Sequence, residues 1–135
     1  MANNIMNGLH PRLIQLIGVV SDRMRSAGHP IRVIGGLRTA EEQNRLWQLG
    51  RSQRGKVVTN CDGYKLKSNH QAKADGWGHA VDVCFEGDDP FGDRQPWKLL
   101  GETVAAVGGL RWGGSWLRFP DRPHIELAAI DPPVV

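Results

Sequence analysis

Cysteine is scarce in this sequence of 135 residues, which contains only Cys61 and Cys84. Two cysteines are too few for a disulfide framework, and they are not spaced as a Cys-x-x-Cys metal clip. We expect two buried or half-buried free thiols, because unpaired cysteine packs like a small apolar residue. A single disulfide, formed in an oxidising compartment, is the alternative.

Long apolar runs are also missing. No stretch approaches the roughly 20 apolar residues of a membrane-spanning helix, so we expect no stable membrane insertion. The first eight residues lack the basic and apolar regions of a signal peptide. The sequence therefore predicts a protein made in the cytoplasm without a signal peptide. If its target lies outside the cytoplasm, another system must export it.

The sequence has no continuous run of charge of one sign. The net charge is +3 and the isoelectric point is about 9.2, but the basic residues are dispersed. This balance fits loose attraction to an anionic partner such as a cell-envelope polymer or nucleic acid. Residues 51–67 form a basic loop, but its one tyrosine offers little surface for stacking bases, so we expect no nucleic-acid binding.

What is present predicts one α+β domain with three helices and a small antiparallel sheet. The length and the 40% apolar content suit a single soluble domain. Apolar residues at three- and four-residue spacing indicate helices, and short β-branched or alternating runs indicate strands. The predicted helices cover residues 11–26, 39–50 and 96–107, and the predicted strands cover residues 31–34, 80–85, 110–112 and 124–127.

Two imidazoles and one carboxylate form a candidate metal-ligand set, His70, Asp82 and His124. Such a set suits zinc, which accepts imidazole nitrogen and carboxylate oxygen and keeps one position open in catalytic sites. Asp82 lies on an otherwise apolar strand, where burial is costly unless it is compensated. A metal is one compensation, and hydrogen bonds to a structural aspartate are the other.

His79 competes with His70 for the first ligand position. Side chains alternate faces along a strand, and His79 is three residues from Asp82. If the strand already includes residue 79, the two side chains point to opposite faces. His70 reaches the site from a separate loop and is free of this constraint. We therefore favour His70 as the ligand and expect His79 to be a neighbour, with substrate contact as its functional option.

Arg38 lies at a predicted strand-to-helix junction, where Thr39 and Glu42 form a capping box. Its guanidinium can grip a carboxylate with two parallel hydrogen bonds. The alternative is a solvated surface side chain, the usual state of a charged residue.

Four ordered motifs now suggest a family. They are Gly36 to Gln43, Ser68-x-His70 with Gly78-x-Ala80-Val81-Asp82, Trp112-Gly113-Gly114-x-Trp116, and Asp121-x-Pro123-His124-x-Glu126-Leu127. Together they resemble the signatures of the VanY-like M15 zinc peptidases, especially compact phage endolysins and bacterial relatives associated with secretion. In the usual pattern the first histidine precedes the aspartate by seven residues. Here an inserted segment separates them, and Asp75 occupies the position of strict spacing.

The resemblance implies a Hedgehog/D,D-peptidase-like fold in which His70, Asp82 and His124 hold one zinc ion. Asp121 matches the general base of the family, with Glu126 as a rival for that role or as an orienting partner of a ligand. Arg38 matches an arginine that binds a substrate carboxylate or steadies the oxyanion. The weaker candidates for substrate contact are Gln43 and Ser68.

The resemblance also implies a function. We expect a zinc-dependent peptidoglycan hydrolase that cleaves stem peptides between L-Ala and D-Glu. A D-alanyl-D-alanine carboxypeptidase and a non-catalytic, metal-bearing cell-wall-binding module are the alternatives. We expect residues 1–135 to form one monomeric catalytic domain without a separate wall-binding domain. It would reach the periplasm and cell wall through a holin-like pore.

Overall fold

The computed structural model describes residues 4–128. Three helices and four strands alternate along these residues, which confirms the predicted α+β class. The helices are α1 (Pro11–Ser26), α2 (Ala40–Gln48) and α3 (Trp97–Val107); the strands are β1 (Ile31–Gly35), β2 (Ala80–Phe85), β3 (Leu110–Trp112) and β4 (His124–Leu127); a single 3₁₀ turn covers Gly113–Ser115. Within this part of the chain no helix is both long and apolar enough to cross a membrane.

The four strands form one antiparallel sheet in the order β1-β2-β4-β3. β2 and β4 lie at its centre although about 40 residues separate them in the sequence. Their register places Asp82 directly opposite His124 and Ala80 opposite Glu126. Directly paired residues on antiparallel strands project from the same face, so Asp82 and His124 become neighbours.

Each face of β2 has its own role. Val81, Val83 and Phe85 point into the apolar core, where they pack with residues of α1, α3 and β4. The alternation of side chains sends Asp82 to the opposite face, as predicted. The core cluster thus fixes the strand, and the strand fixes the direction of the Asp82 carboxylate.

The N-terminus of α2 is held by the predicted capping box. Thr39 Oγ1 accepts a hydrogen bond from the Glu42 N–H at 3.1 Å, and Glu42 Oε1 accepts one from the Thr39 N–H at 3.0 Å. The hydrogen bonds from Thr39 lower the pKa of Glu42. This cap fixes the backbone of the neighbouring Arg38, whose N–H also donates to the His70 carbonyl at 2.8 Å.

Residues 50–79 connect α2 to β2 without a regular helix or strand. One turn of this connection is organised by Asp62, whose Oδ1 accepts hydrogen bonds from the N–H groups of Tyr64, Lys65 and Leu66 at 2.9–3.0 Å. Long irregular connections in compact domains are often functional. This one brings Ser68 and His70 to the face of the sheet that carries Asp82.

A candidate metal centre at the sheet surface

The three predicted ligands converge, although they come from a loop, from β2 and from β4. His70 Nε2 lies 3.5 Å from Asp82 Oδ1, and His124 Nδ1 lies 3.7 Å from the same oxygen. The two imidazole nitrogens are 3.2 Å apart. All three ligand atoms lie within 4.8 Å of one another. We call His70, Asp82 and His124 the metal centre.

Hydrogen bonds on the far side of each imidazole determine which nitrogen faces the centre. His70 Nδ1 lies 2.9 Å from the Gly36 carbonyl oxygen, and His124 Nε2 lies 2.7 Å from Glu126 Oε1. Both oxygens are acceptors, so each of these nitrogens carries the proton in the neutral ring. The lone pairs of His70 Nε2 and His124 Nδ1 are then directed at the centre. Fixing the tautomer in this way is the usual role of groups behind metal-bound imidazoles.

Asp82 completes the fit to a cation. Among the described residues its Oδ1 is the only buried side-chain oxygen or nitrogen that lacks a hydrogen-bond partner. An orphaned buried carboxylate oxygen costs free energy, and a bound cation removes that cost. Two neutral imidazoles and one carboxylate are a suitable donor set for a divalent metal ion.

The pKa values of Asp82 and His124 in the metal-free centre also favour the binding of a cation. Burial acts to raise the pKa of Asp82, but the facing imidazoles of His124 and His70 overcome it and hold that pKa well below the ordinary value. Burial acts to lower the pKa of His124, but Asp82 and Glu126 raise it to about 9. Without a metal, a proton on His124 therefore balances the buried carboxylates. A metal ion must displace that proton.

Arg38 lies beside the metal centre, as predicted. Its Nη2 is 3.4 Å from Asp82 Oδ2, and its Nη1 donates to Gln43 Oε1 at 2.7 Å. Gln43 is only 1% exposed, and its amide nitrogen donates to the Cys61 carbonyl at 3.0 Å. The buried Gln43 side chain thus positions Arg38, and its own contact with substrate stays a prediction.

Ser68 and Asp121 both line a cleft beside the metal centre. Ser68 Oγ accepts a hydrogen bond from the His70 N–H at 3.2 Å, which shapes the loop before the ligand; its contact with substrate stays a prediction. The backbone of Asp121 bonds to Gly113 and to His124, at 2.9 and 3.1 Å. A Cβ atom on Gly113 would lie only 2.4 Å from the Asp121 carbonyl oxygen, so this close approach requires glycine. Burial, together with the nearby Asp82 charge, raises the pKa of Asp121.

A cleft of about 360 Å³ opens above the metal centre. Its walls come from the end of α2, from the connection before β2 and from the loop between β3 and β4. Trp116 closes one side, with its ring centroid 4.8 Å from that of His124. The cleft is lined by Arg38, Lys67, Ser68, Trp116, Arg118 and Asp121, among others.

His79 belongs to a different group of side chains, which we call the outer cluster: His10, Asp75 and His79. His79 Nε2 lies 2.7 Å from Asp75 Oδ2, and His10 Nε2 lies 3.9 Å from the same oxygen. His79 is absent from the lining of the cleft, so the structure gives no support to a substrate contact there. The inserted segment thus carries Asp75 away from the metal centre and leaves His70 in place.

One contact was not foreseen from the sequence. Asn69 Nδ2 donates to Glu126 Oε2 at 2.8 Å, and the Lys73 ammonium bonds to Asn69 Oδ1. Glu126 is 7% exposed, so Asn69 supplies the partner that its second oxygen needs. The only signal in the sequence is the position of Asn69 immediately before His70, which is too little to reveal a contact across 57 residues.

Both cysteines are free thiols, as expected: Cys61 is half-buried and Cys84 is buried. Cys84 Sγ accepts a hydrogen bond from Arg32 Nε at 3.4 Å. Neither thiol is part of the metal centre.

Comparison with known proteins shows that this chain is similar to M15 peptidases. Residues 62–127 match the M15 peptidase model described as D-alanyl-D-alanine carboxypeptidase. The chain is 28% identical over 134 residues to the peptidoglycan L-alanyl-D-glutamate endopeptidase CwlK of Bacillus subtilis, covering 91% of this chain and 75% of CwlK. Its fold is similar to that of the L-Ala D-Glu endopeptidase ChiX of Serratia marcescens, with a TM-score of 0.64, 27% identity, and coverage of 96% of this chain and 88% of ChiX.

A second solved structure shows the same fold at lower identity. It is the vancomycin resistance D,D-pentapeptidase VanY, a variant in complex with Zn(II), with a TM-score of 0.63 and 17% identity over 96% of this chain and 79% of VanY. Residues 62–127, which match the family model, include all three ligands of the metal centre and Asp121. This chain is therefore similar in sequence and fold to the VanY-like M15 metallopeptidases.

Proposed function

We propose that this protein is a zinc-dependent peptidoglycan hydrolase that cleaves stem peptides between L-Ala and D-Glu. The observation that carries the proposal is the metal centre, with two imidazole lone pairs and an orphaned carboxylate oxygen facing one point beside Asp121. The choice of bond is supported by the likeness to CwlK and ChiX, both named as L-Ala–D-Glu endopeptidases. The site of action would be the peptidoglycan of the periplasm and cell wall.

The chemistry divides between the metal and the protein. Zinc, when bound, acts as a Lewis acid toward the scissile carbonyl and makes water a stronger nucleophile at neutral pH. Asp121 takes the proton of the attacking water and delivers it to the leaving amine. Its raised pKa brings the carboxylate closer to the operating pH, which favours transfer in both directions.

Glu126 is the rival for the role of base, and its contacts speak against it. One of its oxygens bonds to His124 and the other to Asn69. Both Glu126 oxygens therefore accept hydrogen bonds behind His124, on the side away from the metal centre. Asp121, in contrast, lines the cleft. We therefore assign the base to Asp121 and the orientation of His124 to Glu126.

Arg38 supplies positive charge beside the reacting group. Its guanidinium is held by Gln43 and Asp82, so it can donate to a substrate carboxylate or to the developing oxyanion without reorganisation. Preorganised donors of this kind stabilise charge that develops in the transition state.

A D-alanyl-D-alanine carboxypeptidase is the second candidate, since the description of the matched family names that activity. A non-catalytic module that binds the cell wall is the third. Asp121 in the cleft beside the metal centre favours catalysis over that module, because simple binding has no need of a base there.

Digestion of purified muropeptides, with the zinc-loaded protein and with chelator, tests these candidates. Mass spectrometry of the new termini should show cleavage between L-Ala and D-Glu, with activity lost on chelation and restored by zinc. Release of terminal D-Ala with the L-Ala–D-Glu bond intact would identify the carboxypeptidase instead. Binding without any new terminus would identify the module.

A further inference from the structure

Two cations that face the cleft have no partner among the residues that the structure describes. Lys67 and Arg118 both line the cleft and both are exposed. Within residues 4–128 neither makes a hydrogen bond or ion pair, whereas Arg38 is bound to Gln43 and Asp82. An unpaired cation on the wall of a binding cleft is available to a ligand of opposite charge.

Both cations are carried by anchored loops. Lys67 immediately precedes Ser68, whose N–H donates to Gln71 Oε1 at 2.9 Å. The buried Gln71 amide in turn donates to the Gly63 carbonyl at 2.9 Å. The backbone at Lys67 is therefore tied to the same turn that positions His70.

The loop of Arg118 is closed at its base. Trp112 Nε1 donates to the Arg122 carbonyl at 2.8 Å, and the Asp121 N–H donates to the Gly113 carbonyl at 2.9 Å. The next residue, Phe119, has a φ of 50°, the only positive value for a residue other than glycine among residues 4–128. Side chains disfavour this conformation, and such residues cluster at ligand-binding sites. The loop thus presents Arg118 in a defined place.

We propose that Lys67 and Arg118 form a second carboxylate-binding subsite, which binds a different carboxylate of the stem peptide from the one that Arg38 grips. This inference rests on the proposed function. A peptide cut between L-Ala and D-Glu carries the free α-carboxylate of D-Glu beside the scissile bond, and a diaminopimelate residue next to D-Glu adds another. The ligand class is an acidic peptide with two carboxylates, and the subsite favours cleavage within such a peptide over removal of a terminal D-Ala.

The test compares two synthetic tripeptides, L-Ala-γ-D-Glu-diaminopimelate, in which the D-Glu α-carboxylate is free and the C-terminal carboxyl is amidated. The second diaminopimelate carboxyl is free in one peptide, the free acid, and amidated in the other. Exposed ion pairs are individually weak, so we expect the wild-type enzyme to favour the free acid by about 10-fold in kcat/KM. In the Lys67→Met/Arg118→Met double variant this preference should fall to about 1, through a higher KM for the free acid and with kcat little changed. The wild-type preference should also shrink as salt is raised, because screening weakens exposed charges.

The matched control is the Lys65→Met/Arg54→Met double variant. Both residues are exposed and neither lines the cleft, so the change in net charge is the same. The control should keep the wild-type preference. Equal loss in both double variants would reduce the effect to net charge and overturn the subsite.

Other outcomes are equally decisive. A wild-type enzyme that cleaves both peptides equally well, or a Lys67→Met/Arg118→Met variant that keeps the preference, would overturn the subsite and leave the proposed function standing. A zinc-loaded wild-type enzyme that cleaves neither peptide would overturn the proposed function itself. Circular dichroism and melting of each variant would exclude misfolding as the cause of a higher KM.

Discussion

The metal centre and the outer cluster have the same composition, two imidazoles and one carboxylate, but differ in burial. The side chains of His70 and His124 are 3% and 6% exposed, whereas those of His79 and Asp75 are 21% and 40% exposed. In the metal centre, the imidazole N–H groups donate hydrogen bonds to the Gly36 carbonyl and the Glu126 carboxylate, neither of which belongs to the metal centre. In the outer cluster, His79 donates its proton to the cluster's own carboxylate.

The two groups therefore differ in whether each carboxylate oxygen has a hydrogen-bond partner. Asp75 Oδ2 accepts from His79, and its Oδ1 accepts from the Trp77 N–H at 2.9 Å. Asp82 keeps one buried oxygen without a partner. A group of histidines and carboxylates is therefore a metal site when its lone pairs converge and stay unpaired. The two groups have the same composition. They are distinguished by whether the imidazole N–H groups donate to oxygens outside the group or to the group's own carboxylate.

The largest expected difference between the two groups appears when one imidazole is removed from each, in two separate variants. His70→Ala should lose stoichiometric zinc and lower kcat/KM by about 10³-fold or more, because the Lewis acid is lost. His79→Ala should keep both, since its contacts lie in the outer cluster. Zinc content by atomic absorption and muropeptide hydrolysis measure the two effects. Full zinc content in His70→Ala together with loss in His79→Ala would reverse our assignment of the two groups.

The next effect separates the base from the ligands. Asp121→Asn keeps the shape of the side chain but cannot accept the proton, so kcat should fall by about 10²–10⁴-fold with zinc retained. Glu126→Gln in fully zinc-loaded enzyme should reduce kcat far less. The reverse ranking of these two variants would make Glu126 the base.

A smaller effect is expected in metal affinity when the group behind His124 is changed. Glu126→Gln replaces the charged acceptor of the His124 N–H by a neutral one, and Asn69→Ala removes a hydrogen-bond partner of Glu126. Each variant should weaken zinc binding by about 10- to 100-fold. Competition with a chelating dye measures the affinity. Asp75→Asn is the control, since it removes an acceptor from an imidazole in the outer cluster and should leave zinc affinity unchanged.

The pH dependence of stability should differ between the metal-free and zinc-loaded states. His124 has a pKa raised to about 9 in the metal-free fold, against 6.5 for the unperturbed group, so its contribution is full below pH 6.5 and is lost as the pH rises through 9. Asp82 has a lowered pKa, so its contribution is present above its ordinary pKa of 3.8 and is lost as the pH falls. In chelator, thermal stability should therefore be highest between these two ordinary values.

Zinc should reverse the alkaline trend, because the metal competes with the proton on His124. The increase in melting temperature caused by zinc should grow from pH 6 toward pH 9. A zinc-induced increase that stays constant over this range would show that no imidazole proton is displaced.

The smallest effect is expected in the outer cluster itself. Asp75→Asn weakens the hydrogen bonds to His79 and Trp77 in an exposed setting, so the free energy of unfolding should fall by about 0.5–1 kcal/mol. Urea denaturation measures the change, and hydrolytic activity should stay at the wild-type level. Loss of activity in this variant would mean that the inserted segment supports the cleft.

Local patterns in the sequence determined the elements of this protein. Apolar spacing predicted α1, the capping box predicted the start of α2, and alternation along β2 placed Asp82 on the face opposite Val81 and Val83. These features depend on neighbours a few residues apart, so the sequence reveals them directly. The same reasoning set His79 aside in favour of His70, and the structure agrees.

Only the tertiary structure decided how distant residues use their hydrogen bonds. The register of β2 against β4 opposes Asp82 to His124, and the closure of the long connection before β2 brings His70 between Gly36 and that pair. The fold also buries Gln43 and places its side-chain oxygen against Arg38, a contact that the sequence did not predict. Partners far apart in the chain are chosen by strand register and loop closure, which no local spacing records. The sequence therefore determined the ligand types, and the fold determined which lone pairs stay free to bind a metal.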